Sequence, residues 1–306
     1  MATDPDATLR TLETEATNPV TGEIDRMGAL GIVQVMNAED ATVAGAVARE
    51  LPRIARAIEE IAKRLRTGGR LVYMGAGTSG RLGVLDASEC PPTFNTAPET
   101  VVGWIAGGKN AFTQAAENAE DNADAGRVDA ARLVISERDV LVGIAASGRT
   151  PYVLGAVAHA RERGTLTIGL ACNTGTPLAQ AVDIAIEPVV GPEVIAGSTR
   201  LKAGTAQKMV LNMLSTGTMV LLGKTYGNLM VDMRATNHKL RRRAVHIVTT
   251  ATGLDEEAAA ALLRDTNDEV KTAIVVARTG LTPVAAKKRL ATHGGVVRGA
   301  LKRDTP

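Results

Sequence analysis

Apolar residues along the chain fall into two rhythms. Short continuous runs, at Leu71–Met74, Val101–Ile105, Val140–Ala145, Leu166–Leu170 and Ile184–Ile186, lead into turns rich in Gly or Ser. Helical segments separate them. Unbroken apolar runs of this length predict strands covered on both faces. Strand alternating with helix predicts right-handed crossovers and one parallel sheet. In such sheets ligands bind beyond the carboxyl ends of the strands, so the chemistry is expected in the loops just after the runs. Upstream, Leu51, Ile54, Ile58, Ile61 and Leu65 recur at three- to four-residue steps. They predict helix over 38–66, capped near Asn37 or Asp40 and open to a break at Pro52. Residues 1–20 are polar, hold Pro5 and Pro19, and read as a loose arm. From residue 203 the chain reads helical, and Ala203–Leu222 is apolar enough to be buried.

Residues 252–301 carry an internal repeat with a spacing of 27. Thr252-Gly253-Leu254 recurs as Thr279-Gly280-Leu281, and Leu263, Val270, Ala273 and Ile274 match Leu290, Val297, Ala300 and Leu301. The pattern is similar to two small helical hairpins of the ubiquitin-associated type. A hairpin that short cannot bury its apolar face alone, so the copies are expected to pack together or on the main domain. The layout expected is an N-terminal arm and helix (1–37), a main domain (38–245) and a helical appendage (246–306).

Composition narrows the function. Of 306 residues, 45% are hydrophobic and only 2% aromatic, so a large core is possible and must be aliphatic. Few aromatics and a net charge of +2 give neither stacking platforms nor a basic footprint for nucleic acid. Cys90 and Cys172 are too few and too scattered for a disulfide framework or a zinc site. No apolar run reaches the ~18 residues that a membrane span requires. Asp4 and Asp6 stand where a secretory leader would be basic, so a cytoplasmic location is expected.

The candidate chemistry begins after the first apolar run, at Gly75-Ala76-Gly77-Thr78-Ser79-Gly80-Arg81. This fits the dinucleotide pattern GxGxxG. A nicotinamide site, however, needs an acid about 20 residues on, at the end of the next strand. That run ends instead in Ala106-Gly107-Gly108, and Glu99 precedes it. A cradle for a phosphate monoester fits better, with Thr78 and Ser79 adding hydroxyls to the N–H groups of a helix start. A second loop of the same kind, Ala146-Ser147-Gly148-Arg149-Thr150-Pro151, follows the third run. Two such loops suit a small sugar phosphate. Gly197-Ser198-Thr199-Arg200-Leu201-Lys202 is a further candidate anion contact, since a guanidinium matches a carboxylate well.

These loops resemble those of the sugar isomerase (SIS) fold, a doubly wound, five-stranded parallel α/β sheet flanked by helices. The likeness narrows over longer stretches, which include Leu85-Asp86-Ala87-Ser88-Glu89-Cys90-Pro91-Pro92 and the segment from Gly143 to Tyr152. Gly197–Lys208, Gly227-Asn228-Leu229-Met230-Val231-Asp232 and Ala235-Thr236-Asn237 continue it. Together they are similar to the N-acetylmuramic acid 6-phosphate etherases from about Thr11 to Leu301. That family uses water to convert its substrate to N-acetylglucosamine 6-phosphate and D-lactate, in cell-wall recycling, without metal or redox cofactor. The resemblance implies Glu89 and Glu120 as catalytic groups. It implies Gly77, Thr78, Ser79, Ser88, Ser147, Gly148, Thr150, Ser198, Arg200 and Lys202 as substrate and phosphate contacts, and a homodimer. Read alone, Glu117, Glu120, Asp121 and Asp124 are a solvated acidic face; only the resemblance gives Glu120 a catalytic role.

Two carboxyls suit the reaction. Once the sugar ring opens, the hydrogen at C2 lies α to an aldehyde and the ether lies β to it. A base removes that hydrogen, an acid protonates the departing lactyl oxygen, and water adds to the unsaturated aldehyde at C3. Each proton transfer by a positioned carboxyl is worth roughly 10²–10⁴ in rate. Glu89 is assigned as the acid and Glu120 as the base. Two rivals share the fold: a regulator that binds sugar phosphates without chemistry, and an aldose–ketose isomerase.

Overall fold

The computed structural model describes residues 12–114, 118–233 and 238–302. The chain divides into two compact units, Met1–Ser88 with Glu99–Ser215 and Glu89–Pro98 with Thr216–Pro306.

In the first unit, helices α1 (Ala29–Asp40), α2 (Val43–Ala48) and α3 (Leu51–Arg66) precede the sheet. Then follow β1 (Leu71–Gly75), α4 (Gly77–Phe94), β2 (Val101–Ile105), α5 (Ala123–Arg132) and β3 (Val140–Ile144). The unit continues through α6 (Pro151–Glu162), β4 (Leu166–Leu170), α7 (Pro177–Ala181), β5 (Ile184–Ile186) and α8 (Lys202–Leu221), with α4 beyond Ser88 and α8 beyond Ser215 belonging to the second unit. All five apolar runs are strands. They form one parallel sheet in the order β2-β1-β3-β4-β5. β1 and β3 are buried at every position. Val72, Met74 and Leu141 pack with Tyr152, Val153, Ala156 and Val157 of α6. On the opposite face the Tyr73 hydroxyl donates to Asp86 of α4 at 2.9 Å. The sheet is therefore covered on both sides, as continuous apolar runs require.

Two expectations change. The helix expected over 38–66 is three helices, and Pro52 stands in the first turn of α3, where its missing N–H costs nothing. The described part of the arm is tied down. Thr14, fully buried, exchanges hydrogen bonds with Asn173, and Thr21 Oγ1 donates to the Val194 carbonyl at 2.8 Å. Its polar residues serve buried partners here, which composition alone does not reveal.

The second unit adds α9 (His238–Thr252), α10 (Glu256–Asp265), α11 (Val270–Thr279), α12 (Pro283–Thr292) and α13 (Val297–Ala300). The repeat survives in three dimensions. α10 and α12 both span 10 residues and are capped at matching positions by Asp255 and Thr282. Asn267 and Asp268 hold φ of 53° and 59° where the second copy has Gly294 and Gly295 at 60° and 74°. Leu263 and Leu290, Val270 and Val297, and Ala273 and Ala300 share one core. The two copies thus bury a face that neither could bury alone.

Candidate active site

The strand order reverses between β1 and β3, which pair in register from Leu71↔Val140 to Gly75↔Ile144. Such a reversal opens a crevice at the carboxyl ends of the two strands. Both hydroxyl-bearing loops start there, Ala76–Gly80 after β1 and Ala145–Thr150 after β3. Neighbouring strands thus bring together two segments about seventy positions apart in sequence.

The first loop is tight. Gly77 has φ 52°, is exposed, and opens α4. Thr78 is half-buried and Ser79 is 8% exposed. Ser79 Oγ donates to Gln207 Oε1 of α8 at 3.0 Å. Seven residues on, and so on the same helix face, Asp86 accepts from Tyr73, from Asn212 Nδ2 at 2.6 Å and from Ser215 Oγ at 3.1 Å. The pairs Ser79–Gln207 and Asp86–Asn212/Ser215 rise together in number, so α4 and α8 lie side by side and parallel, joined by buried polar contacts. A methyl at Gly204 would stand 3.6 Å from Thr78 Cγ2, so the start of α8 reaches the same loop.

The second loop is held from below. Cys172 N–H and Asn173 Nδ2 donate to the Ala146 carbonyl, and Leu178 N–H donates to that of Gly148. Gly148, buried at φ 66°, lies against Thr176. Ser147 Oγ accepts from Arg149 N–H at 3.2 Å, and an oxygen that accepts keeps its own proton for another partner. Thr150 is half-buried and caps α6 with its backbone.

Ser198 and Arg200 lie on the segment leading into α8, half-buried and exposed respectively. Lys202 behaves differently. Its side chain is 3% exposed and its ammonium pairs with Glu39 at 2.6 Å, which holds the Glu39 carboxyl below the usual carboxylate range. The N–H groups of Lys202 and Ala203 both donate to Glu193 at 2.9 Å. Glu193 is fully buried, and that burial pushes its carboxyl upward despite the two donors. The positive end of α8 is thereby already capped.

Glu89 and Ser88 stand exposed on α4, ten and nine residues beyond Ser79, and Ser88 Oγ donates to the Leu85 carbonyl. Glu120 is also exposed. Its carbonyl accepts from Tyr152 N–H at 3.0 Å, which ties its backbone to the first turn of α6, just past the second loop. Each glutamate is therefore linked through the chain to one loop. Glu117 of the acidic run and the motif Ala235-Thr236-Asn237 lie outside the described residues. Among the described residues no helix is long and apolar enough to cross a membrane.

Gln207, Asp86, Ser215 and Glu193, all buried, with the half-buried Asn212 and Glu39, carry the site's polar frame, and sequence reasoning gave none of them a role. A local signal existed for the Ser79–Asp86 spacing only; the partners of Gln207, Asn212 and Ser215 on α4 lie 126–129 residues away.

Comparison with known proteins gives the family and the fold. Residues 53–161 match the family described as glucokinase regulatory protein N-terminal SIS domain. The chain is 54% identical over 294 residues to N-acetylmuramic acid 6-phosphate etherase of Salmonella paratyphi A, covering 96% of this chain and 99% of that one. It is 57% identical over 296 residues to the etherase of Rubrobacter xylanophilus, covering 97% and 98%. Among solved structures, a putative phosphosugar isomerase involved in capsule formation from Bacteroides fragilis is similar in fold. Its TM-score is 0.50 at 22% identity, covering 63% of this chain and 91% of that one.

Proposed function

The chain belongs to the N-acetylmuramic acid 6-phosphate etherases, carbon–oxygen lyases built on the SIS fold, and on that premise we propose that it cleaves the D-lactyl ether of N-acetylmuramic acid 6-phosphate. Water enters, and N-acetylglucosamine 6-phosphate and D-lactate leave. The reaction serves amino-sugar recycling from the cell wall in the cytoplasm, by a homodimer.

One observation carries the reading: two hydroxyl-bearing loops flank the strand-order reversal, so a phosphate seated there meets donors from both. Ser79, Thr78, Ser147, Gly148 and Thr150 form that cradle, and Ser198 and Arg200 contact the lactyl carboxylate or the phosphate. With the phosphate fixed, Glu120 takes the proton from C2 of the open-chain sugar. The C3–oxygen bond breaks as Glu89 protonates the lactyl oxygen. Glu89, now a base, draws a proton from water as its oxygen adds at C3, and C2 regains a proton from Glu120. Holding the substrate across both carboxyls is what makes two modest proton transfers fast.

The test is lactate release. Glu89→Gln should lower kcat by at least about 10³-fold while the phosphorylated sugar still binds. Normal lactate release by that variant removes the role of Glu89. Ser79→Ala with Ser147→Ala should raise KM for the phosphorylated substrate by about 10–100-fold. Tight binding without lactate release by the wild type would point to a regulator, and interconversion of glucosamine and fructose 6-phosphates to an isomerase.

A further inference from the structure

Gln207 lies on α8 at 1% exposure. Its Oε1 accepts the Ser79 proton, and among the described residues its Nε2 is buried without a hydrogen-bond partner. This arrangement opposes anion binding. A serine whose proton goes to Gln207 presents only lone pairs, and a phosphate dianion also offers only lone pairs. A buried N–H without an acceptor is costly as well.

Both problems have one remedy. The two ends of a carboxamide have nearly the same shape, and its last torsion is broad and two-fold. Turned over, Gln207 donates through Nε2 to Ser79 Oγ, which releases the Ser79 proton toward the anion. The unpaired donor becomes an unpaired carbonyl, the better tolerated of the two. The second loop already has this arrangement, since Ser147 Oγ accepts from Arg149 N–H and keeps its proton. After the turn, each serine accepts one protein N–H and gives its own proton to the same phosphate.

We propose that Gln207 is a positioning residue for phosphate recognition, relaying donor direction through Ser79, and that the phosphate-bound form is the one in which Nε2 donates to Ser79. The proposal rests on Ser79 belonging to the phosphate cradle.

Gln207→Glu and Gln207→Met separate this from a packing role. Glutamate preserves the bond accepted from Ser79, so a packing role makes it the milder change. A carboxylate cannot become a donor, so the relay makes it the harsher one. The expected KM for N-acetylmuramic acid 6-phosphate rises by about 30-fold or more in Gln207→Glu and by less than about 5-fold in Gln207→Met, with kcat within about 3-fold in both. Lowering the pH should lower KM in the Glu variant, as its carboxyl gains a proton to donate, and not in the Met variant. In a Ser79→Ala background the Glu and Met variants should converge.

A Glu variant no worse than the Met variant overturns the relay. Ser79→Ala alone keeps the two readings distinct. An unchanged KM there sinks the cradle and the relay with it. A raised KM combined with equal Glu and Met variants sinks the relay only. Should the Glu variant not fold, the side-chain amide resonances of Gln207, assigned by their loss in Gln207→Met, decide instead. They should shift on titration with N-acetylglucosamine 6-phosphate and stay in place with N-acetylglucosamine; no shift with saturating phosphorylated sugar overturns the relay.

Discussion

Arg70 and Asp139 stand just before β1 and β3, at the end of the sheet away from the two loops. The guanidinium grips the carboxylate twice, Nε to Oδ1 at 3.1 Å and Nη2 to Oδ2 at 2.9 Å. Ser136 N–H and Arg70 N–H add two more donors. Burial would raise the Asp139 carboxyl, but Arg70 and these donors outweigh it and hold it below the usual range. A carboxyl whose pKa is lower folded than unfolded contributes stability that is complete above the unfolded value and fades as pH falls through the folded one. Asp139→Asn should therefore cost about 2–4 kcal/mol at neutral pH by taking the carboxylate from Arg70, whose Nη2 still donates to the Leu133 and Val134 carbonyls. Below about pH 4 its thermal midpoint should fall less steeply than that of the wild type. Midpoints measured across that range check this, and equal slopes would contradict it. The KM for the phosphorylated sugar should be unmoved, since the pair sits at the wrong end of the sheet.

Elements explain why some of the site was legible in the sequence and some was not. Short, mostly apolar runs closed by turn residues mark strands well, so Val101–Ile105, Leu166–Leu170 and Ile184–Ile186 are bounded to the residue even though β2 and β5 are only partly buried. The phosphate loops were legible because glycine and hydroxyl residues follow those runs directly. The clamp between α4 and α8 was not, because Gln207, Asn212 and Ser215 meet partners far off in sequence that no local period announces. Glu120 shows the same limit, since it is as exposed in the fold as its acidic run suggested, and among the described residues its carbonyl bond to Tyr152 ties it to the second loop. Gly148 offers a test at this scale. Its φ of 66° disfavours any side chain, and a methyl there would come within 2.4 Å of Thr176 Cβ. Gly148→Ala must displace the loop or α7 beneath it, at a cost of about 1–3 kcal/mol. The expected result is a lower thermal midpoint together with a KM raised at least about 10-fold; a variant with wild-type KM would mean that the loop's shape does not set phosphate binding.

At the scale of the whole molecule, α1 does not satisfy the rule that an apolar helix is covered. It reads Ala-Leu-Gly-Ile-Val-Gln-Val-Met-Asn-Ala-Glu-Asp and buries none of its residues, with Leu30 70% and Val33 56% exposed. Apolar surface gathered on one helix in this way is what an interface between copies would cover. The proposed homodimer supplies one. If the same dimer brings a partner's glutamate to each cradle, loss of the dimer is felt in the reaction as well. Leu30→Asp with Val33→Asp should then yield a folded monomer by sedimentation, with kcat for lactate release reduced at least about 10²-fold. Mixing Glu89→Gln with a Ser79→Ala, Ser147→Ala chain should partly restore activity, because one of the two sites in a mixed dimer would have an intact cradle and an intact acid. A fully active monomer, or a mixture no better than its parts, would place the whole reaction within one chain.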